Sequence, residues 1–146
     1  SLRPTSPYAS SKAAGFEMAH GFCINNSIPL VYKRIFSAYG DYQYEGNFWP
    51  SLKYAAVNGK DFPMTKGNQI RDFICVNDVV LNFMKSVEDS ATKLTLPVVE
   101  NVCSGNGSSV LEFANYWWSH WNAKGKLKPG IVAERKSEPK RFVGKI

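Results

Sequence analysis

The stretch that decides the fold is Thr5-Ser6-Pro7-Tyr8-Ala9-Ser10-Ser11-Lys12. Ser6 is a good helix N-cap, and Pro7 suits the first helical turn, where its missing N–H costs nothing. Tyr8 and Lys12 are then four residues apart on one face of the predicted helix. A cation beside a phenol favours the phenolate, and such a phenol can take a proton from an alcohol or sugar hydroxyl. The same pattern also fits an ordinary surface helix. Motifs elsewhere in the chain are therefore needed to distinguish a catalytic tyrosine from a surface tyrosine.

The segments after this stretch alternate between helix and strand patterns. The first helix is predicted over about 7–23, and a mostly apolar run predicts a strand covered on both faces over about 28–36. A helix followed by a covered strand indicates an α/β layered fold. Further along, the sequence predicts a helix over 49–58, an extended stretch over 62–65 and a strand over 70–76. The next predicted helix is capped by Asp78 and has one apolar stripe, formed by Val80, Phe83, Met84 and Val87. A strand over 98–103, a helix with a capping box at Ser109 and Glu112, and a short strand at Ile131-Val132 follow.

Composition is that of an ordinary soluble domain. The chain has 146 residues, of which 44% are hydrophobic and 21% charged, and its net charge of +6 is compatible with nucleic acid, an anionic membrane or a phosphorylated small molecule as partner. No apolar segment is long enough to cross a bilayer, so we expect no membrane partner. The cysteines Cys23, Cys75 and Cys103 fit no zinc or disulfide spacing, which predicts buried free thiols, no metal and a cytoplasmic protein.

One aromatic and basic segment raises the possibility of nucleic-acid binding. Phe113, Trp117 and Trp121 precede lysines at 124, 126 and 128, as in a stacking platform beside a basic groove. The three aromatic residues recur every four positions, however, which is the spacing of a core-facing helix stripe. We therefore predict a core helix and no nucleic-acid partner.

The order of the motifs gives a specific resemblance. The motifs are Tyr8-x-x-x-Lys12, Arg34-Ile35-Phe36-Ser37-Ala38-Tyr39-Gly40, Asn47-Phe48-Trp49-Pro50, the segment 67–79 that contains Arg71-Asp72-Phe73, Asn101-Val102-Cys103-Ser104-Gly105, and Glu134-Arg135-Lys136-Ser137-Glu138. In this order and spacing the chain resembles the extended short-chain dehydrogenase/reductase family, the NAD-dependent nucleotide-sugar epimerases and dehydratases. The resemblance covers nearly the whole chain.

The resemblance implies a catalytic group and a cofactor. Tyr8 would be the catalytic acid/base, and Lys12 would hold the nicotinamide ribose and lower the tyrosine's pKa. Tyr8, Lys12, Ile35 and Phe36 would lie at NAD or NADP, the last two at the end of a strand beside the nicotinamide.

It also implies a set of residues for a nucleotide-sugar substrate. Ser37 would be a substrate contact, although the family usually has asparagine there. Asn47 would contact the diphosphate at the start of a helix, where N–H groups favour anions. Arg71 and Arg135 would grip the diphosphate, since guanidinium groups suit phosphate oxygens. Phe62 would lie near the base and Glu138 near the nucleoside.

The implied fold is the C-terminal portion of a Rossmann-type parallel sheet with a small α/β substrate-binding region. Residues 1–40 and 75–105 would belong to the NAD(P)-binding domain, and residues 41–74 and 106–146 to the substrate-binding part. The family's glycine-rich dinucleotide turn would precede Tyr8, so we expect the N-terminal dinucleotide-binding half to be absent and the chain to be a piece of a longer protein. Gly105-Asn106-Gly107 resembles that turn only superficially, because Val110 stands at the third glycine position.

The predicted function is that of an NAD(P)-dependent nucleotide-sugar epimerase or dehydratase, of which this chain would be a fragment that alone is expected to be inactive. Serine at position 37 leaves open a deoxysugar reductase or synthase of the same family. A non-catalytic truncated module is the alternative from a different class. The full-length form is expected to be a homodimer, as is common in the family.

Overall fold

The computed structural model describes residues 4, 6–93, 97–135 and 138–146. The four helices of this described part are α1 (Pro7–Asn25), α2 (Phe48–Val57), α3 (Val76–Lys93) and α4 (Val110–His120). Its strands are β1 (Val31–Ile35), β2 (Ser37–Tyr39), β3 (Phe62–Met64), β4 (Ile70–Cys75), β5 (Val98–Val102), β6 (Gly107–Ser109), β7 (Leu127–Pro129) and β8 (Arg141–Phe142). Helices and strands alternate as the sequence predicts.

The helices begin where local chemistry favours a start. The Ser6 side chain accepts a hydrogen bond from the Ala9 N–H, and Pro7 occupies the first helical position of α1. Ser109 and Glu112 form the predicted capping box of α4. The backbone N–H and the hydroxyl of Ser109 donate to the Glu112 carboxylate, and these bonds lower the pKa of Glu112.

The strands form three small sheets. In the largest, β4 pairs in parallel with β2 and β8 and antiparallel with β6, so β4 is surrounded by partners. β3 pairs in parallel with β7, and β1 pairs with β5. The mixed α/β character and the parallel pairs confirm the predicted fold class.

Chain contacts divide the protein into two compact units. The first comprises residues 1–34 and 80–101, and the second residues 35–79 and 102–146. These boundaries are not those of the predicted domains 1–40 with 75–105 and 41–74 with 106–146, which remain a prediction about the folded enzyme.

The core of the second unit lies between α2 and α4. Its buried residues are Leu52, Ala55, Ala56, Met64, Ala114 and Trp118. The predicted aromatic stripe of α4 packs inward, since Trp117 and Trp121 both contact the Trp49 ring, at centroid distances of 4.6 and 4.9 Å. Burial of this stripe agrees with a core helix rather than a nucleic-acid platform.

One carboxylate ties several segments of the second unit together. Asp72 on β4 is fully buried and accepts hydrogen bonds from the Ser104 N–H and hydroxyl, both at 2.7 Å, and from the N–H groups of Gly105 (3.0 Å) and Gly144 (3.2 Å). Gly144 lies so close to Cys103 that a Cβ there would overlap the cysteine sulfur. Asp72 therefore fixes both the loop after β5 and the C-terminal segment to β4.

Three local predictions were wrong in whole or in part. Asp78 lies inside the first turn of α3, which begins at Val76, so Asp78 is not the cap. Ile131 and Val132 form no strand, because Gly130 (φ 85°) ends β7 just before them. The three cysteine thiols are free, as predicted, but half-buried rather than buried.

Candidate functional site

The first predicted pair, Tyr8 and Lys12, lies on α1. The Lys12 ammonium is 5.5 Å from the centroid of the Tyr8 ring, so the helix brings the two side chains together on one face. The Tyr8 side chain is 73% exposed and therefore accessible to a reactant. The predicted sharing of one helix face is thus confirmed, and the catalytic role of the pair stays a prediction.

The second unit contains a cavity of about 520 Å³. All six residues predicted to bind the substrate line it: Ser37, Asn47, Phe62, Arg71, Arg135 and Glu138. They come from five separate stretches of the chain, at β2, the start of α2, β3, β4 and the segment before β8. The fold thus brings together side chains that are up to about one hundred positions apart in the sequence, from Ser37 to Glu138.

The cationic side of the cavity is built around Arg71. Its Nη1 donates to the carbonyl oxygens of Ile70 and Pro139, both at 2.9 Å, and its Nη2 donates to Glu138 Oε1 at 2.7 Å. The Arg71 side chain is only 11% exposed, so these bonds hold the guanidinium in one orientation. Glu138 is therefore the counter-ion of Arg71 within the cavity wall.

Asn47 is placed where an anion is favoured. It is the N-cap residue of α2, and its side chain makes no capping hydrogen bond. The first N–H groups of a helix lack intrahelical partners and carry a partial positive charge. The carboxamide of Asn47 and the adjacent helix N-terminus therefore provide donors at the cavity wall.

The apolar side of the cavity is aromatic. Phe62 and Phe48 form an edge-to-face pair with centroids 5.7 Å apart, and Tyr39, Trp49, Phe73 and Phe113 also line the space. Burial raises the pKa of the Tyr39 phenol, and the negative forms of Cys75 and Asp78 act in the same direction. Tyr39 therefore stays protonated and is unsuited to act as a base, in contrast to the role expected of Tyr8.

The sequence analysis missed three polar residues of this cavity. Gln43, Trp49 and Gln69 line it, and the Oε1 atoms of Gln43 and Gln69 and the Nε1 atom of Trp49 are buried without a hydrogen-bond partner. Trp49 and Gln69 lie within the motifs 47–50 and 67–79, but only the arrangement of residues around them reveals that these polar atoms have no partner.

The residues predicted at the cofactor divide between two environments. Ile35, at the end of β1, is exposed, whereas Phe36 stacks on Phe142 with centroids 4.6 Å apart. Neither lines the cavity. The assignment of Tyr8, Lys12, Ile35 and Phe36 to the cofactor stays a prediction.

The described chain offers no cradle for the rest of a dinucleotide at its one glycine-rich loop. The Gly105 N–H already donates to Asp72, and Gly107 begins strand β6 instead of a helix. This confirms that Gly105-Asn106-Gly107 is a loop of the scaffold. Among the described residues, no cluster of histidine, cysteine and acidic side chains could hold a metal ion, and no helix is long and apolar enough to span a bilayer.

The fold defines a class, the Rossmann-type α/β proteins, and the comparisons narrow this class to a family. Residues 1–96 match the NAD dependent epimerase/dehydratase family, and the chain belongs to that family. The resemblance seen in the sequence is thereby confirmed.

The individual relatives are dehydratases. The chain is 30% identical over 112 residues to dTDP-glucose 4,6-dehydratase of Haemophilus influenzae, a match that covers 68% of this chain and 33% of that protein. It is 32% identical over 76 residues to dTDP-glucose 4,6-dehydratase of Salmonella typhimurium, covering 51% of this chain and 21% of that protein. The first of these matches thus spans about a third of the relative's length.

Solved structures share the fold. MoeE5 in complex with UDP-glucuronic acid and NAD superposes with a TM-score of 0.85 at 24% identity, over 99% of this chain and 48% of that one. A UDP-N-acetylglucosamine 4-epimerase from Methanobrevibacter ruminantium, in complex with UDP-N-acetylmuramic acid, gives a TM-score of 0.84 at 24% identity, over 99% of this chain and 46% of that one. At this level of identity the likeness concerns the fold.

Proposed function

We propose that this chain is the nucleotide-sugar-binding part of an NAD(P)-dependent epimerase or dehydratase. The observation that carries the proposal is a cavity lined by all six residues expected at the substrate. Two guanidinium groups and a helix N-terminus suit a diphosphate, and the aromatic wall suits a base. The family membership and the dehydratase and epimerase relatives support the same class.

The catalytic part of the proposal concerns α1. Bound NAD or NADP would supply a hydride acceptor. Tyr8 would exchange a proton with a sugar hydroxyl, and Lys12 would hold a ribose hydroxyl. An epimerase, a dehydratase and a reductase of this family differ in the fate of the sugar after that proton exchange, and Ser37 keeps a deoxysugar reductase or synthase among the candidates. We expect the complete enzyme to be a homodimer.

A non-catalytic truncated module is the second candidate. It is favoured by one feature of the sequence, namely that its one candidate for a dinucleotide turn belongs to the scaffold around Asp72. Two titrations of the 146-residue chain, one with NAD and one with a nucleoside diphosphate, are needed to separate the two proposals. Tight NAD binding by this chain alone would contradict our assignment of the dinucleotide site. No response to any nucleoside diphosphate would contradict the substrate assignment.

Arg71→Ala is the direct test of the substrate assignment. Hydrogen bonds to charged groups contribute about 1.5–3 kcal/mol, so we expect UDP to bind about 10- to 150-fold more weakly in isothermal titration. Lys128→Ala is the matched control, because Lys128 forms an ion pair with Asp61 and does not line the cavity. Equal UDP affinity in the wild-type and Arg71→Ala chains would refute the assignment of the cavity to a diphosphate.

A further inference from the structure

The polar atoms without partners are concentrated at one place. Within the part of the chain that the structure describes, the buried side-chain nitrogen and oxygen atoms that lack a hydrogen bond are Gln43 Oε1, Gln69 Oε1 and Trp49 Nε1. All three residues line the same cavity. Since a buried polar atom without a partner is unfavourable, their clustering indicates that a ligand supplies the missing partners.

The orientation of the Gln69 amide is set by Glu138. The Gln69 Nε2 group donates to Glu138 Oε2 over a long distance of 3.5 Å, while Glu138 Oε1 accepts from Arg71 at 2.7 Å. A carboxylate accepts hydrogen bonds, so the amide NH₂ faces it and the amide oxygen is turned away. Gln69 therefore presents an acceptor and requires a donor from the ligand.

The position of Gln69 limits which part of a nucleotide can provide that donor. Gln69 and Arg71 bind the two oxygens of one carboxylate, so their head groups are close neighbours. A group that donates to Gln69 must then lie near the phosphate held by Arg71. In a nucleoside diphosphate the pentose is joined to the phosphate through one methylene group, whereas the base edge lies a full ring further away.

We propose that Gln69 is a specificity-determining residue that accepts a hydrogen bond from a pentose hydroxyl of the bound nucleotide, and that Glu138 is the positioning residue that orients its amide. This inference rests on the proposed function of the cavity. It adds to the site Gln69, which lies in the 67–79 motif but is not among the six residues predicted to bind the substrate.

The experiment is isothermal titration of the 146-residue chain with UDP, 2′-deoxy-UDP and 3′-deoxy-UDP. Removal of the recognised hydroxyl should weaken binding to the wild-type chain about two- to tenfold, the range for one net hydrogen bond. In Gln69→Leu, UDP should bind more weakly by a similar factor, and UDP and its deoxy analogues should bind equally. Gln69→Met removes the same polar atoms with a different shape and serves if the leucine variant fails to fold.

Gln43→Leu is the matched control. Gln43 also lines the cavity with a buried oxygen lacking a partner, but its Nε2 donates to the Ala38 carbonyl at 2.9 Å and is not tied to Glu138. Its substitution should leave the preference for the hydroxyl unchanged.

Three outcomes would overturn the inference alone. The first is that the wild-type chain binds UDP and both deoxy analogues with equal affinity. The second is that the Gln69 variants still prefer UDP to its deoxy analogues as strongly as the wild-type chain does. The third is that the affinity lost in those variants depends on the base, in a comparison of UDP with CDP, and not on the pentose hydroxyl. A wild-type chain that binds no UDP would refute the proposed function as well, which makes the two failures distinguishable.

Discussion

Asp72→Asn is the substitution for which the structure gives the sharpest expectation. An asparagine has the shape of aspartate but offers one acceptor oxygen and one NH₂ group. On one side the carboxylate accepts from the N–H groups of Gly105 and Gly144, and on the other from the N–H and hydroxyl of Ser104. The hydroxyl can rotate away but the N–H groups cannot. Either orientation of the asparagine therefore sets its NH₂ group against at least one backbone donor.

The magnitude comes from these contacts. A buried donor left without an acceptor costs about 1–3 kcal/mol, and the remaining bonds lose their charge-assisted part, about 1 kcal/mol or more. We expect the free energy of unfolding to fall by about 3 kcal/mol, which is large beside a total of about 5–15 kcal/mol for a domain. The change should also loosen the C-terminal segment that carries Glu138 into the cavity, so UDP should bind more weakly.

The assay is urea unfolding of the 146-residue chain monitored by circular dichroism, with amide hydrogen exchange at Gly144 as a local measure. Asp41→Asn is the control, because Asp41 is an exposed carboxylate that pairs with Lys53, and loss of such a pair costs about 1 kcal/mol or less. An Asp72→Asn chain within about 0.5 kcal/mol of wild type, with Gly144 still protected from exchange, would refute the reasoning about the buried carboxylate.

Two further predictions concern the helices, and a third concerns acid stability. Tyr8→Phe should abolish turnover in an enzyme that contains this chain and a dinucleotide-binding segment. It should leave the UDP affinity of the chain nearly unchanged, because Tyr8 does not line the cavity. A variant that keeps most of its rate would exclude Tyr8 as the acid/base. Ser109→Ala should lower the free energy of unfolding by about 1 kcal/mol through loss of the α4 cap, and a change near zero in urea unfolding would contradict the capping role. The pKa of Glu112 is lowered in the folded chain, so the stabilisation by its carboxylate is full above the unfolded pKa and is lost as the pH falls through the folded pKa. The free energy of unfolding of Glu112→Gln should therefore depend less on pH below about pH 4 than that of the wild-type chain. Identical pH profiles of the two chains would contradict this.

Local signals in the sequence predicted the helices and the residues with strong chemical character. The cap at Ser6, the capping box at Ser109 and the four-residue spacing of Tyr8 and Lys12 each depend on neighbours within one helical turn. The resemblance to the family likewise named six side chains, five of them within the short motifs, that the fold then gathers at one cavity. Charged and aromatic residues in an ordered series of motifs carry enough information for that.

Other features depend on partners far along the chain. The donors to Asp72 lie 32, 33 and 72 positions away, so nothing near Asp72 in the sequence indicates a buried carboxylate with four hydrogen bonds. Gln69 is recognisable only after Glu138, 69 positions later, has fixed its amide. The apolar stripe of α3 has the correct helical spacing but is exposed, since periodicity shows which residues share a face and not what covers it.

The distribution of indole rings has a practical consequence. All four tryptophans, at 49, 117, 118 and 121, belong to the second unit, and Trp49 lies in the wall of the cavity in contact with two of the others. Intrinsic tryptophan fluorescence therefore reports on that unit alone. Binding of a ligand in the cavity can be followed by this fluorescence without an attached label.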